Sequence, residues 1–309
     1  MKRKSTIIIL LIFLFVFTGC SKVSEVKSQP KAEEVEPKEI ILNIVTTNKL
    51  LYYMVKDIIK DKHNLEYMFT DKNKLWNFSY TDDSINNISK KDIFFYLGTG
   101  IEPWAEDFVN NLSKSKVAPL NVSRGIKLVS YEKEVKYKES VIKDNPYFWM
   151  NIDDYKIAML NIKNAIQDKD SKDRDFYENN FSESIKKIDD YQEKLKKVLE
   201  KLKEYTFIVD GDELDYFTKN YGLKTLKIYN YGITLTPEYI QKNSEVESKL
   251  IDAKNIIFLY DEDEKINANK VLIEKYNIKT ANISVYKDDM TYIDMLDNNL
   301  KNLEKLIIQ

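Results

Sequence analysis

Histidine and cysteine are nearly missing from this chain, which has one of each, His63 and Cys20, among 309 residues. A single cysteine cannot close a disulfide within the chain, so no disulfide framework holds the fold. His63 lies in KDKHNLEYM with no Ser or Asp partner in a motif, so no histidine-based catalysis is legible. Glycine is scarce, at 7 residues. None of them stands in a G-x-S-x-G, a P-loop or a G-x-G-x-x-G, and the G-T-G at 98–100 fails the dinucleotide spacing. Charge of one sign is also missing: 48 basic and 50 acidic residues are interspersed, so there is no basic stripe of the kind nucleic acid requires. Past the N-terminus no apolar run approaches the roughly 20 residues that span a bilayer. These absences exclude nucleic-acid binding and argue against an enzyme. Asp210 and Asp212 are the nearest thing to an acid–base pair, but aspartates this close together are common.

What is present begins with the N-terminus. Lys2, Arg3 and Lys4 precede an apolar run from Ile7 to Phe17, followed by Thr18-Gly19-Cys20. A basic start, a short apolar core and a small-residue cut site make a secretory signal peptide over 1–19. The cysteine directly after the cut resembles the lipobox of bacterial lipoproteins, although Phe17 stands where an aliphatic residue is usual. Cys20 is then the lipidated first residue, and the chain is expected on the extracytoplasmic face of a bacterial cell membrane. Residues 21–39 are polar, without apolar periodicity, and read as a disordered tether. Such a tether reaches about 25 Å, enough to lift the body clear of the headgroups; tether and cysteine together fill 20–40.

From 41 onward strands and helices alternate. Strands are expected at 41–47, 65–70, 92–98 and 116–122, with helices at 49–60, 83–90 and 102–114. Alternation of this kind argues for a parallel sheet flanked by helices. The pattern turns helical from 153. Apolar residues at Tyr177, Phe181, Ile185, Ile188, Tyr191, Leu195, Val198 and Leu202 recur every three or four positions, which predicts one continuous helix over 173–204. At 1.5 Å per residue it is about 48 Å long, more than one lobe needs. Strands at 206–210, 226–231, 255–260 and 280–286 follow, with helices at 212–221, 237–252, 264–277 and 289–307. The expected fold is α/β, with an N-terminal lobe at 41–172 and a C-terminal lobe at 205–309. Both have mainly parallel sheets, one long rigid helix joins them, and the ligand cleft lies between them.

Six segments resemble the zinc- and manganese-binding solute receptors of bacterial ABC transporters. They are IVTTNKLLYYMVKDIIK (44–60), YLGTGIEPW (96–104), NVSRGIKL (121–128), NPYFWMN (145–151), TFIVDGDELDYFTKNYGL (206–223) and TYIDMLDNNLKNL (291–303). The resemblance covers nearly all of 41–309. It implies a monomeric binding protein rather than an enzyme, partnered by a membrane permease and tethered to the bilayer through acylated Cys20, with zinc or manganese as ligand.

The ligand positions depart from that family. Its members usually hold the ion with two or three histidines plus carboxylates, donors suited to these metals. The matching positions here are Trp76, Tyr147, Gly211 and, before the last helix, Asp289 or Met290. The family's His-rich loop is missing too. The metal site therefore reads as degenerate or remodelled. The second lobe instead places Asp210, Asp212, Glu213 and 261–264 after its strands. The first offers Trp76, Phe78, Tyr80, Trp104, Tyr147 and Trp149. An acidic wall facing an aromatic one suits an organic cation, or a hard ion such as Mn²⁺ or Ca²⁺. Trp104 and Trp149 read equally well as packing residues, and aspartates after strands as helix caps. The competing class is an adhesive or structural surface lipoprotein that reuses the fold.

Overall fold

The structure is a computed structural model that describes residues 39–228, 237–253, 255–286 and 290–308. Cys20, the tether, Asp288, Asp289 and the end of the strand expected at 226–231 lie outside the described residues.

The first lobe runs β1 (Asn43–Asn48), α1 (Lys49–Ile59), β2 (Asn64–Phe69), α2 (Lys72–Trp76), α3 (Asp82–Ser89), β3 (Ile93–Tyr96), α4 (Ala105–Leu112) and β4 (Ala118–Asn121). Its sheet has the order β2-β1-β3-β4, parallel throughout. Central β1 buries consecutive residues, Ile44 to Thr47, as a strand covered on both faces must. Helix α1 begins where the Asn48 side chain accepts a hydrogen bond from the Leu51 amide, 3.0 Å, a standard N-cap. Its Leu51, Met54, Val55 and Ile58 are fully buried.

A hairpin of β5 (Ser130–Tyr137) and β6 (Ser140–Asp144) follows. The sequence reading assigned no strand there, because SYEKEVKY is charged and carries no apolar run. Helices α5 (Ile152–Lys169) and α6 (Arg174–Lys201) come next, separated by a short 3₁₀ turn. Helix α6 is continuous, joins the lobes, and packs against α1, α5 and the last helix, α11 (Tyr292–Ile308).

The second lobe contains β7 (Thr206–Asp210), α7 (Asp215–Asn220), β8 (Thr225–Ile228), α8 (Pro237–Leu250), β9 (Ile256–Tyr260), α9 (Asp263–Ala268), α10 (Lys270–Lys275) and β10 (Lys279–Asn282), and ends in α11. Its parallel sheet has the order β10-β9-β7-β8. Two expectations need correction. The helix expected at 264–277 is broken at Asn269, whose buried amide donates to the Asp210 carboxylate, 2.7 Å, and to the Lys265 carbonyl, 2.8 Å. The strand expected at 280–286 stops at Asn282, because the Ser284 amide bonds the Asn299 side chain, 2.8 Å, instead of a neighbouring strand.

One apolar core runs through both lobes, from β1 and β3 through α5 and α6 to β7, β9 and α11. A smaller cluster fills the outer face of the second sheet. Polar contacts pin the junction. The Trp149 indole N–H donates to the Val285 carbonyl, 2.8 Å. The Tyr292 hydroxyl donates to the Trp149 carbonyl, 2.6 Å. The Tyr155 and Tyr292 rings stack at 3.5 Å with 3° between planes. Removing only the Tyr292 hydroxyl leaves the buried Trp149 carbonyl without that donor. Tyr292→Phe should therefore cost about 1–3 kcal/mol, read as a lower urea midpoint at unchanged slope. An unchanged midpoint would show that this contact does not hold the lobes.

Candidate functional site

In open α/β sheets, ligands meet the carboxyl ends of the strands. Here those ends from both lobes line a cavity of about 220 Å³. Asn48 ends β1, Phe69 ends β2 and is followed by Thr70, Asp71, Lys72 and Leu75, Leu97 follows β3, Asp261 and Glu262 follow β9, and Val285 and Tyr286 follow β10. Tyr147 and Trp149 enter from the segment between β6 and α5. The wall is largely apolar and aromatic.

Tyr147 is buried, 6 % exposed. Its hydroxyl accepts a hydrogen bond from the Lys72 ammonium, which also lies 4.9 Å from the centre of its ring. Burial pushes the Tyr147 phenol well up, and the charges of Glu213, Asp261 and Glu262 push it further, while Lys265 opposes them. All of these groups are therefore electrostatic neighbours of one hydroxyl.

The Lys265 ammonium bridges two carboxylates, Glu213 Oε2 at 3.0 Å and Asp261 Oδ1 at 2.7 Å. Burial disfavours this ammonium, but Glu213 and Asp261 outweigh burial and hold it above the ordinary lysine range. Burial likewise raises Glu213, but Lys265 and then Lys72 outweigh it and leave the carboxyl below its usual value. A second lysine, Lys227, bridges Asp212 at 2.8 Å and Asp215 at 2.6 Å and reaches Glu132 of the hairpin at 3.3 Å.

The four positions matched to metal ligands fare differently. Tyr147 lines the cavity. Trp76 does not; it stands edge-on to Tyr137 of the hairpin, 5.6 Å away, while Lys72 and Leu75 of the same short helix face the cavity. Gly211 adopts φ +97°, a left-handed conformation that side-chain residues rarely take. A Cβ there would meet Glu213 Oε2 at 2.5 Å and Lys265 Nζ at 3.6 Å. A side chain from position 211 thus points into the Lys265 ion pair. Asp289 lies outside the described residues. Among the described residues no group of three or more His, Cys, Asp or Glu side chains could hold a metal ion.

The acidic wall of the sequence reading is corrected in one respect: its carboxylates have partners from the chain itself. Asp210 accepts from Asn269, Asp212 pairs with Lys227, and Glu213 and Asp261 share Lys265. Glu262 also lines the cavity and has no ion pair or side-chain hydrogen bond among the described residues. Of the six aromatic residues proposed for the first lobe, Tyr147 and Trp149 line the cavity. Phe78 packs against Phe69 and Trp104, and Tyr80 bonds Asp107. Phe69, Tyr286, Lys72 and Lys265 were missed. The i, i+4 pair Asp261–Lys265 at a helix start was a signal for the last of these. His63 sits before β2, at the opposite end of the sheet. Its Nδ1 accepts from the Leu42 amide, 3.3 Å, so Nε2 donates to the Tyr177 hydroxyl, 2.7 Å, which donates to Asp170, 2.6 Å.

The family model described as zinc-uptake complex component A, periplasmic (ZnuA), matches residues 44–306. The chain belongs to this family. Members of the ZnuA family are solute-binding proteins of ABC transporters, not enzymes. A metal ABC transporter substrate-binding lipoprotein of Lactococcus lactis is 28% identical over 209 residues, 65% of each chain. The manganese ABC transporter substrate-binding lipoprotein PsaA of Streptococcus pneumoniae is 26% identical over 251 residues, 78% of this chain and 77% of PsaA. The Zn(II)-bound ZnuA-like domain of AdcA from Streptococcus pneumoniae shares the fold. Its TM-score is 0.68 at 19% identity, over 87% of this chain and 100% of that domain.

Within the ZnuA-like fold, Glu102 of the YLGTGIEPW segment holds the cavity loop after β3. It is 3 % exposed. It accepts from the Thr47 hydroxyl and from the Leu97 and Gly98 amides, the latter at 2.7 and 3.2 Å. Burial raises its pKa to about 7, against the lowering pull of those hydrogen bonds. A carboxyl raised on folding binds its proton more tightly in the native state. Its favourable contribution is full below the unfolded value of 4.5 and is lost as pH climbs to about 7. Glu102→Gln should therefore flatten the fall in melting temperature between about pH 5 and 8. Parallel pH profiles for wild type and variant would contradict this.

Proposed function

We propose that this chain is a lipid-anchored extracytoplasmic solute receptor serving an ABC-transporter permease, with the metal site of its relatives replaced. The Lys265 ammonium carries this reading. It bridges Glu213 and Asp261, the place into which a side chain at position 211 would reach. A lysine there supplies positive charge to two carboxylates and competes directly with a divalent cation for them. Of the other matched positions, Tyr147 offers a phenol and Trp76 an indole directed away from the cavity, poor substitutes for imidazole. Anchoring and transport are supported by the lipobox-like segment ending at Cys20 and by relatives named as transporter lipoproteins.

Two outcomes test the parts separately. Cys20→Ala should release the protein to the medium or leave it as an unprocessed, unlipidated precursor, whereas wild type is processed and fractionates with membrane; identical fractionation together with identical processing removes the anchor. Zinc in calorimetry should show no stoichiometric submicromolar binding. A native-state ligand at 100 times its dissociation constant adds ~2.7 kcal/mol, so zinc at tens of micromolar should leave the melting temperature nearly unchanged. A tight zinc site abolished by Asp261→Asn would refute the replacement.

A further inference from the structure

We propose that the cavity receives a small organic monocation with an apolar body. The proposal rests on the replaced metal site and goes further in naming the class of solute. At about 220 Å³ the cavity far exceeds the ~10–15 Å³ that one water needs, so a lone ion would leave it largely unfilled. Its aromatic rings, Phe69, Tyr147, Trp149 and Tyr286, come from both lobes. The Trp149 N–H is committed to Val285, which leaves its ring to offer apolar and π surface.

Charge decides between classes of solute. Four carboxylates, those of Asp71, Glu213, Asp261 and Glu262, line the cavity or act electrostatically on the Tyr147 hydroxyl, against the two ammoniums of Lys72 and Lys265. Two negative charges are left over. Lys265 satisfies Glu213 and Asp261, so the surplus resides on Asp71, whose carboxylate caps α2, and on Glu262, both exposed and without an ion pair among the described residues. Lys72 also makes no ion pair among the described residues, and its ammonium donates to the Tyr147 hydroxyl at the edge of the ring. That contact shows that the phenol end of Tyr147 accepts an ammonium. Lys72 is exposed on a five-residue helix and can withdraw into water. A solute ammonium then takes its place at the Tyr147 hydroxyl and pairs with Glu262, while the apolar body lies against Leu50, Leu97 and Val285. An anionic solute would meet the surplus negative charge, and a zwitterion would bring its carboxylate against it.

Three probes with one phenyl ring and different charge separate these cases: phenylethylamine, phenylalanine and 3-phenylpropionate. With the mature chain, calorimetry should show saturable one-site binding of phenylethylamine, and weaker or no binding of the other two. Glu262→Gln should weaken the amine on the order of tenfold, the scale of a lost charged contact. Lys72→Ala should tighten it by removing the competing ammonium. Both residues are exposed, so both variants should unfold like wild type. Tighter binding of phenylalanine or 3-phenylpropionate, weaker amine binding by Lys72→Ala, or no saturable amine binding would overturn the proposal. If zinc also fails to bind, the replaced metal site stands and only the solute class falls. If zinc binds tightly and Asp261→Asn abolishes it, both fall.

Discussion

The junction around Trp149 is the constraint on which the rest of the structure depends. Its indole is bonded to Val285 from one side, its carbonyl is bonded by Tyr292 from the other, and Tyr292 is stacked on Tyr155. Through these contacts one apolar core continues from the first sheet to the second. Helix α6 braces the same junction, without Gly or Pro, against α1, α5 and α11. The cavity walls belong to both lobes, so their spacing is set by this packing. Closure by hinge motion needs a few residues that absorb large dihedral changes, and a continuous packed helix supplies none. The chemistry of the cleft is then decided by which side chains the loops present.

Those side chains are organised around lysine. Lys265 and Lys227 each bridge two carboxylates at the carboxyl ends of the second sheet. Buried ion pairs of this kind add little net stability, but removing one partner strands the other charge at a cost of about 3–5 kcal/mol. The arrangement is therefore self-consistent only with its own cations in place. In the proposed reading it converts a site of the ZnuA fold from one that awaits a metal into one already neutralised, with Glu262 and the aromatic wall left to meet a solute.

Much of the fold was legible because parallel βα units leave strong periodic signals. The strand at 43–48 and the helix that follows it are plain in the spacing of Ile44, Leu51, Met54 and Ile58, and the linking helix in the run from Tyr177 to Leu202. The hairpin at 130–144 was not legible, since its alternation of Tyr131, Val135 and Tyr137 is diluted by charges that face water. The break at Asn269 depends on a hydrogen bond to Asp210, 59 residues away in sequence, which no local pattern encodes. For the site, Tyr147 could be placed by family likeness, and Asp261 and Glu262 by their position after a strand. Trp76 could not, because α2 turns Lys72 and Leu75 toward the cavity and sends the indole to Tyr137. Pairing was the largest omission: acidic residues read one by one looked available, and the lysines that occupy them come from separate elements.

The central claim is that a lysine ammonium stands where relatives of this fold present a metal ligand. It is tested most directly by crystallising the chain with excess zinc and collecting anomalous data at the zinc edge. The account predicts no anomalous peak between Glu213 and Asp261, with Lys265 Nζ bridging the two carboxylates. A strong peak there, coordinated by both carboxylates with Lys265 swung aside, would contradict it.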